Sequence, residues 1–192
     1  MVVISCARQP QYSITVENIP EDAANASLYI YDSIYNACRE INRQQCDDNK
    51  KSLKFFGNIS KPELAYLTFA NDTSRYFFVV DTVPTTLRMP ISGNCMNIVE
   101  GSEENMVIEK TYRQIRSLIF QHNSTFSEYA LRKNDSTFSV LDEKKVESEL
   151  FDIDKEVQLL IEEANSSLNN PYKYLNKLRY NTIERQLEEP SN

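Results

Sequence analysis

The hydrophobic period of this chain changes once, near residue 101, and that change limits the fold more than any other feature. From residue 12 onward apolar and polar residues alternate. YSITV (12–16) and SLYIYD (27–32) both do so, the latter with Leu28 and Ile30 on one face and Tyr29 and Tyr31 on the other. A period of two is the mark of a half-buried strand. SLKFFGNIS (52–60), ELAYLTFAND (63–72), RYFFVVD (75–81) and TTLRMPI (85–91) follow at short intervals. They are rich in aromatic and β-branched residues and are separated by Pro, Asn, Asp and Ser. Residues 32–49 are polar and carry the weakest strand pattern. Short strands at this spacing predict an antiparallel β-sandwich or open barrel over residues 11–101, with residues 1–10 outside it. Gly57 interrupts an apolar strand, which marks a bulge or a close backbone approach, and Pro62 and Pro84 suit strand starts or edges.

Beyond residue 101 the period is helical, making the chain α+β with a helical region over 102–192. Ser102 is a plausible N-cap with Glu103 and Glu104 in the first turn, and Ile108, Tyr112, Ile115 and Ile119 recur at helical spacing. The first helix is expected over about 102–122. Val146, Leu150, Ile153, Val157, Leu160, Ile161, Ala164 and Leu168 form the longest apolar stripe, predicting a second helix over 142–169 that pairs with the first as a hairpin. Asn169 and Asn170 can adopt a left-handed C-cap, and Pro171 cannot continue the helix. A third helix is expected over 171–189, carrying Tyr174, Leu175, Leu178 and Ile183, with Lys173, Lys177 and Arg179 read as a solvated face in preference to an anion contact.

At 192 residues the chain can bury a real core without metals or disulfides, and it contains no apolar run of membrane-spanning length. The net charge of -7 argues against nucleic acid or an acidic membrane surface as the main partner. Three scattered glycines, Gly57, Gly93 and Gly101, exclude both a dinucleotide-binding fingerprint and a phosphate-binding loop. With His122 alone there is no multi-histidine zinc site. His122 reads as structural, placed near the C-terminal end of the first helix where a cation meets the negative end of the dipole. No residue is nominated as catalytic and none as a metal ligand.

Cys6, Cys38, Cys46 and Cys95 form no C-x-x-C. Cys38 and Cys46 are close enough in sequence to bridge across a loop in an oxidising compartment, or else are two small, partly buried thiols. Tyr29, Tyr31, Tyr35, Tyr66, Tyr76, Phe77 and Phe78 could line a ligand-binding sheet face, although aromatics at period two are also what a sandwich core needs. The acidic pairs Glu103-Glu104, Glu162-Glu163 and Glu188-Glu189 read as solvated helix faces. The N-x-S/T sites at Asn25, Asn58, Asn71, Asn123, Asn134 and Asn165 read as incidental in an Asn-, Ser- and Thr-rich chain.

Residues 12–110 carry a resemblance. A strand ending in a G-x-I step (57–59), the PELAYL strand (62–67), a strand ending in an acidic turn (77–81) and a V-x-G-S-x-x-N passage into a helix (99–105) follow one another in this order. The order resembles the N-terminal β-domain of Bacteroidetes envelope proteins known as domain of unknown function 4369. In longer relatives a helical insert of this kind precedes a thioredoxin-like domain, and no such domain or C-x-x-C is present here. The resemblance implies a non-catalytic module of the cell envelope, the N-terminal part of a thioredoxin-like disulfide oxidoreductase lipoprotein, acting as a binding or spacer domain without a cofactor. Any disulfide exchange would belong to the thioredoxin-like domain. In that setting VVISC resembles the end of a lipoprotein signal, making Cys6 the lipid anchor on the periplasmic side and residues 7–10 a tether, and the anchor the only membrane contact. The expected partner is a thioredoxin-like domain or another envelope protein, with Leu175 and Leu178 as exposed contacts. The alternative is a stand-alone surface or periplasmic protein that binds a small ligand or peptide on the aromatic sheet face.

Overall fold

A computed structural model describes residues 11–32, 34–46, 52–70, 72–90, 97–133 and 138–188, the last seven by backbone alone. Eight strands precede three helices: β1 Gln11–Glu17, β2 Asn25–Asp32, β3 Ala37–Gln45, β4 Ser52–Asn58, β5 Glu63–Phe69, β6 Tyr76–Val80, β7 Thr85–Arg88, β8 Ile98–Glu100, α1 Glu103–Arg132, α2 Val140–Ser167 and α3 Tyr172–Glu188. The chain is α+β and divides into two units. One is Met1–Met106 with Asn170–Leu175, the other Val107–Asn169 with Asn176–Asn192. The boundary therefore differs from a cut at residue 101, because the start of α1 and the segment Asn170–Leu175 belong with the strands.

In the first unit the strands form two open four-stranded sheets, β4-β1-β7-β8 and β3-β2-β5-β6. All pairings are antiparallel except β1 with β7. The connection from β1 to β7 runs through β2 to β6 and so has the length that a parallel pair requires. The alternation in sequence becomes alternation in burial. Tyr12, Ile14 and Val16 of β1, Leu53 and Phe55 of β4, Leu87 of β7 and Val99 of β8 meet Ala26, Leu28, Ala65, Leu67, Phe69, Phe78 and Val80 of the other layer in one core.

β3 is an edge strand with no buried residue, so its weak sequence pattern reflects position and not the absence of a strand. Its ladder with β2 contains the sheet's irregularity, a register shift opposite Leu28 and Tyr29. Gly57, by contrast, pairs in register with Tyr12, and a Cβ there would lie 2.5 Å from the Tyr12 ring. Its glycine is needed for close approach and not for a bulge. Gly101 is constrained twice, by φ +152 and by the Pro84 carbonyl 2.9 Å from an added Cβ.

The first unit also holds the segment before α3. Tyr172, 1% exposed, donates to Asp81 Oδ2 at 2.7 Å just beyond β6, and its oxygen lies 3.0 Å from Ser102 Oγ. Ser102 in turn accepts from the backbone N–H of Asn105, the expected N-cap of α1. Burial pushes the Tyr172 phenol well above its ordinary pKa.

In the second unit Ile115 of α1 and Val157 of α2 form a small core with Tyr112, Leu118, Ile119, Leu160, Ile161 and Tyr180 around them. α1 runs to Arg132, ten residues past the expected end, and carries Tyr129, which donates to Glu143 of α2 at 2.6 Å. Cross-helix contacts of this kind override the weak propensity of Asn123, Ser124 and Thr125. α2 begins behind a complete capping box, Ser139 with Asp142. It ends at Ser167 with Leu168 extended, and neither Asn169 nor Asn170 takes the expected left-handed conformation. Arg179 is not on a solvated face. It is 4% exposed, 2.5 Å from Glu109 Oε1 and stacked 5.7 Å from the Tyr112 ring centre. Among the described residues no helix is long and apolar enough to cross a membrane.

Candidate functional site: the cleft between β3 and β4

Where the edge strands β3 and β4 approach each other, the two layers are tied by Asn42, whose Nδ2 donates to the Phe56 carbonyl at 3.1 Å. Beside this tie a cleft of about 440 Å³ opens between the sheets. That volume lies within the range of small-ligand sites. The Tyr12 ring, spread over the bare Cα of Gly57, forms one wall, and Ile30, Ile41 and Ile59 supply further apolar surface. Arg39, Asn58, Ser60 and Glu63 bring polar groups to the same space.

The register explains how two charges come to face the layer interior. Ile30, which packs on the core, pairs with Arg39 of β3 on one side and with Ala65 of β5 on the other. Arg39 shares Ile30's face, and Glu63, two residues before Ala65, shares it as well. Among the described residues neither side chain has an ion-pair or hydrogen-bond partner, and they do not pair with each other. A chemically useful arrangement results, with a cation and a carboxylate flanking an apolar floor.

The aromatic residues expected on a sheet face do not stay together. Phe78 is buried in the core and Tyr76 packs against that core beside Phe69, while Tyr35 is exposed beyond the end of β2. Tyr29, Tyr66, Phe77 and Tyr31 do form a continuous series on the outer face of β3-β2-β5-β6, with ring centres 5.0 to 5.9 Å apart. That series is closed at Tyr66 and half-buried at Tyr29, Tyr31 and Phe77. Tyr66 is 4% exposed, Leu64 and Val79 on the same face are buried, and Tyr174 lies 6.1 Å from Tyr31. Burial, aided by a hydrogen bond with the Cys38 thiol, pushes the Tyr66 phenol up to about 12.

Because the folded pKa of Tyr66 is raised above the ordinary value near 10, its contribution to stability is complete below pH 10 and lost as pH rises through 12. Denaturant midpoints measured across that window should therefore fall in the native chain and fall less in Tyr66→Phe. Parallel curves for the two proteins would contradict this account.

Cys38 and Cys46 are free thiols, the first exposed and the second half-buried with its pKa raised by burial. Of the two readings the bridge is the one that does not form, because Cys38 lies in β3 and Cys46 directly follows it. Eight extended residues span about 26 Å, against the roughly 4.4–6.8 Å between Cα atoms that a disulfide needs. Cys6 and Cys95 lie outside the described residues, as do Asn71 and Asn134. His122 sits inside α1 rather than near its end, so the dipole argument fails there. Its Nε2 is 3.8 Å from Asp154 Oδ1. Leu175 is fully buried and Leu178 half-buried, so Leu175 cannot be an exposed partner contact. Among the described residues no group of three His, Cys, Asp or Glu is placed to hold a metal.

Sequence reasoning missed Arg39, Asn42 and Glu63 altogether. Their one precursor signal was Gly57, read as a bulge or a close backbone approach. No protein-family model, no curated protein and no solved structure matches this chain.

Proposed function

We propose that this chain is a non-catalytic binding module whose ligand enters the cleft between β3 and β4. The observation that carries this reading is the cleft's construction: an apolar floor from both layers, bordered by Arg39 and Glu63, whose side chains have no ion-pair partner among the described residues. The aromatic face of the same unit, with Tyr66 buried and Tyr29, Tyr31 and Phe77 half-buried, borders no such cleft and supports it less well as a ligand platform. On the motif order at residues 57–105, such a module would stand in the cell envelope beside a thioredoxin-like domain, held to the membrane through Cys6, with disulfide exchange left to that domain.

Amide spectra of the 15N-labelled chain, recorded with a mixture of small neutral, anionic and zwitterionic compounds, test the binding reading. Shifts should gather at Gly57, Asn58, Ile59, Ser60 and Ile41. Their absence from these amides, with shifts elsewhere or nowhere, would overturn it.

A further inference from the structure

The two unpartnered charges define which ligand the cleft takes, and this step rests on the binding reading above. Arg39 on β3 and Glu63 on β5 project from one face of the sheet, with Ile30 of β2 between them. Neither forms an ion pair with the other or with another described residue. Their backbones are two strand spacings apart and two residues out of level, roughly 12 Å, and a guanidinium and a carboxylate on one face leave a gap of small-molecule size. A carboxylate is the natural partner of the planar guanidinium fork, and an ammonium that of Glu63. The apolar surface of Tyr12, Ile41 and Ile59 lies beside both.

We infer that the cleft binds a small zwitterion with an apolar side chain, of amino-acid or dipeptide size, its carboxylate on Arg39 and its ammonium on Glu63. A purely anionic amphiphile would leave Glu63 facing its own charge or apolar tail. A cation would do the same to Arg39. Either mismatch sets a charge of the cleft against a like charge or an apolar group.

Inward-pointing charges also guard the edge strands of open sheets against pairing with another chain. The two roles separate experimentally. L-leucine and glycyl-L-leucine, titrated into the labelled full chain, should shift the Gly57–Ser60 amides. N-acetyl-L-leucine, lacking the ammonium, and L-leucinamide, lacking the carboxylate, should each bind about tenfold more weakly. Arg39→Met should weaken leucine about tenfold while leaving the response to leucinamide unchanged, and Glu63→Gln should do the converse with N-acetyl-leucine.

Several outcomes would overturn the inference. Decanoate or indole could shift the cleft amides while leucine does not, which keeps the cleft but rejects the zwitterion. Equal binding of leucine by both variants, with Arg39→Met self-associating at concentrations where the native chain stays monomeric, would reject the zwitterion and assign Arg39 on the edge strand β3 to edge protection. If no probe shifts the cleft amides, the binding reading itself fails.

Discussion

Glu109→Ala is expected to cost about 3–5 kcal/mol of stability, because it leaves the Arg179 guanidinium buried without its carboxylate. The two side chains are 9% and 5% exposed and meet at 2.5 Å, so water cannot replace the lost partner without opening the packing between α1 and α3. The Tyr112 ring face offers Arg179 some compensation, but a contact at 5.7 Å is worth far less than a desolvated carboxylate. Urea unfolding followed by helical circular dichroism should show a midpoint lower by about 1 M or more.

The double variant Glu109→Leu/Arg179→Met should recover most of that loss, since a buried ion pair exchanged for well-packed apolar groups is often neutral or better. This contrast separates the cost of stranding a charge from the net contribution of the pair. A Glu109→Ala midpoint within error of the native one would show that Arg179 finds water or another acceptor.

Arg179 also shows where the sequence was legible and was misread. Lys173 and Lys177 are exposed four residues apart, whereas Tyr172, Leu175, Asn176 and Arg179 are all buried. Their spacing of i, i+3, i+4, i+7 is that of an inward helical stripe, in which Arg179 is the one charged residue. Grouping it with its cationic neighbours by charge overrode the period. β1 and β4 were readable because both faces of their pleat obey the alternation, with a buried and a wet side. β3 was the weakest pattern, because an edge strand at the open side of a sandwich has no fully buried residue and is defined by its ladder with β2. The cleft was illegible for a related reason. Arg39 and Glu63 are far apart in sequence and face one space only through the strand order β3-β2-β5, which no local pattern encodes. The outer ten residues of α1 were hidden by Asn123, Ser124 and Thr125, whose poor propensity is outweighed by contacts such as Tyr129 with Glu143.

Phe55 and Phe56 offer the sharpest test of the β-unit, since adjacent identical residues should respond oppositely. Phe55 is wholly buried between the layers, paired with Ile14 across β1, and sits among Ile14, Leu28, Leu67 and Phe78 in the shared core. Phe55→Ala removes most of a ring from a close-packed interior and is expected to cost about 3–5 kcal/mol, as lost transfer energy plus an unfilled cavity. Phe56 is 58% exposed, and Phe56→Ala should change stability by no more than about 0.5 kcal/mol. Its carbonyl still accepts from Asn42, because that bond uses only the backbone. Phe56 nevertheless lines the cleft, so Phe56→Ala should alter the amide response to leucine while leaving the urea midpoint in place. The pair also fixes the register of β4. A slip of one residue against β1 would turn Phe56 inward and Phe55 outward, so the two variants would exchange their costs. Equal midpoints for both would mean that neither face of β4 is committed to the core.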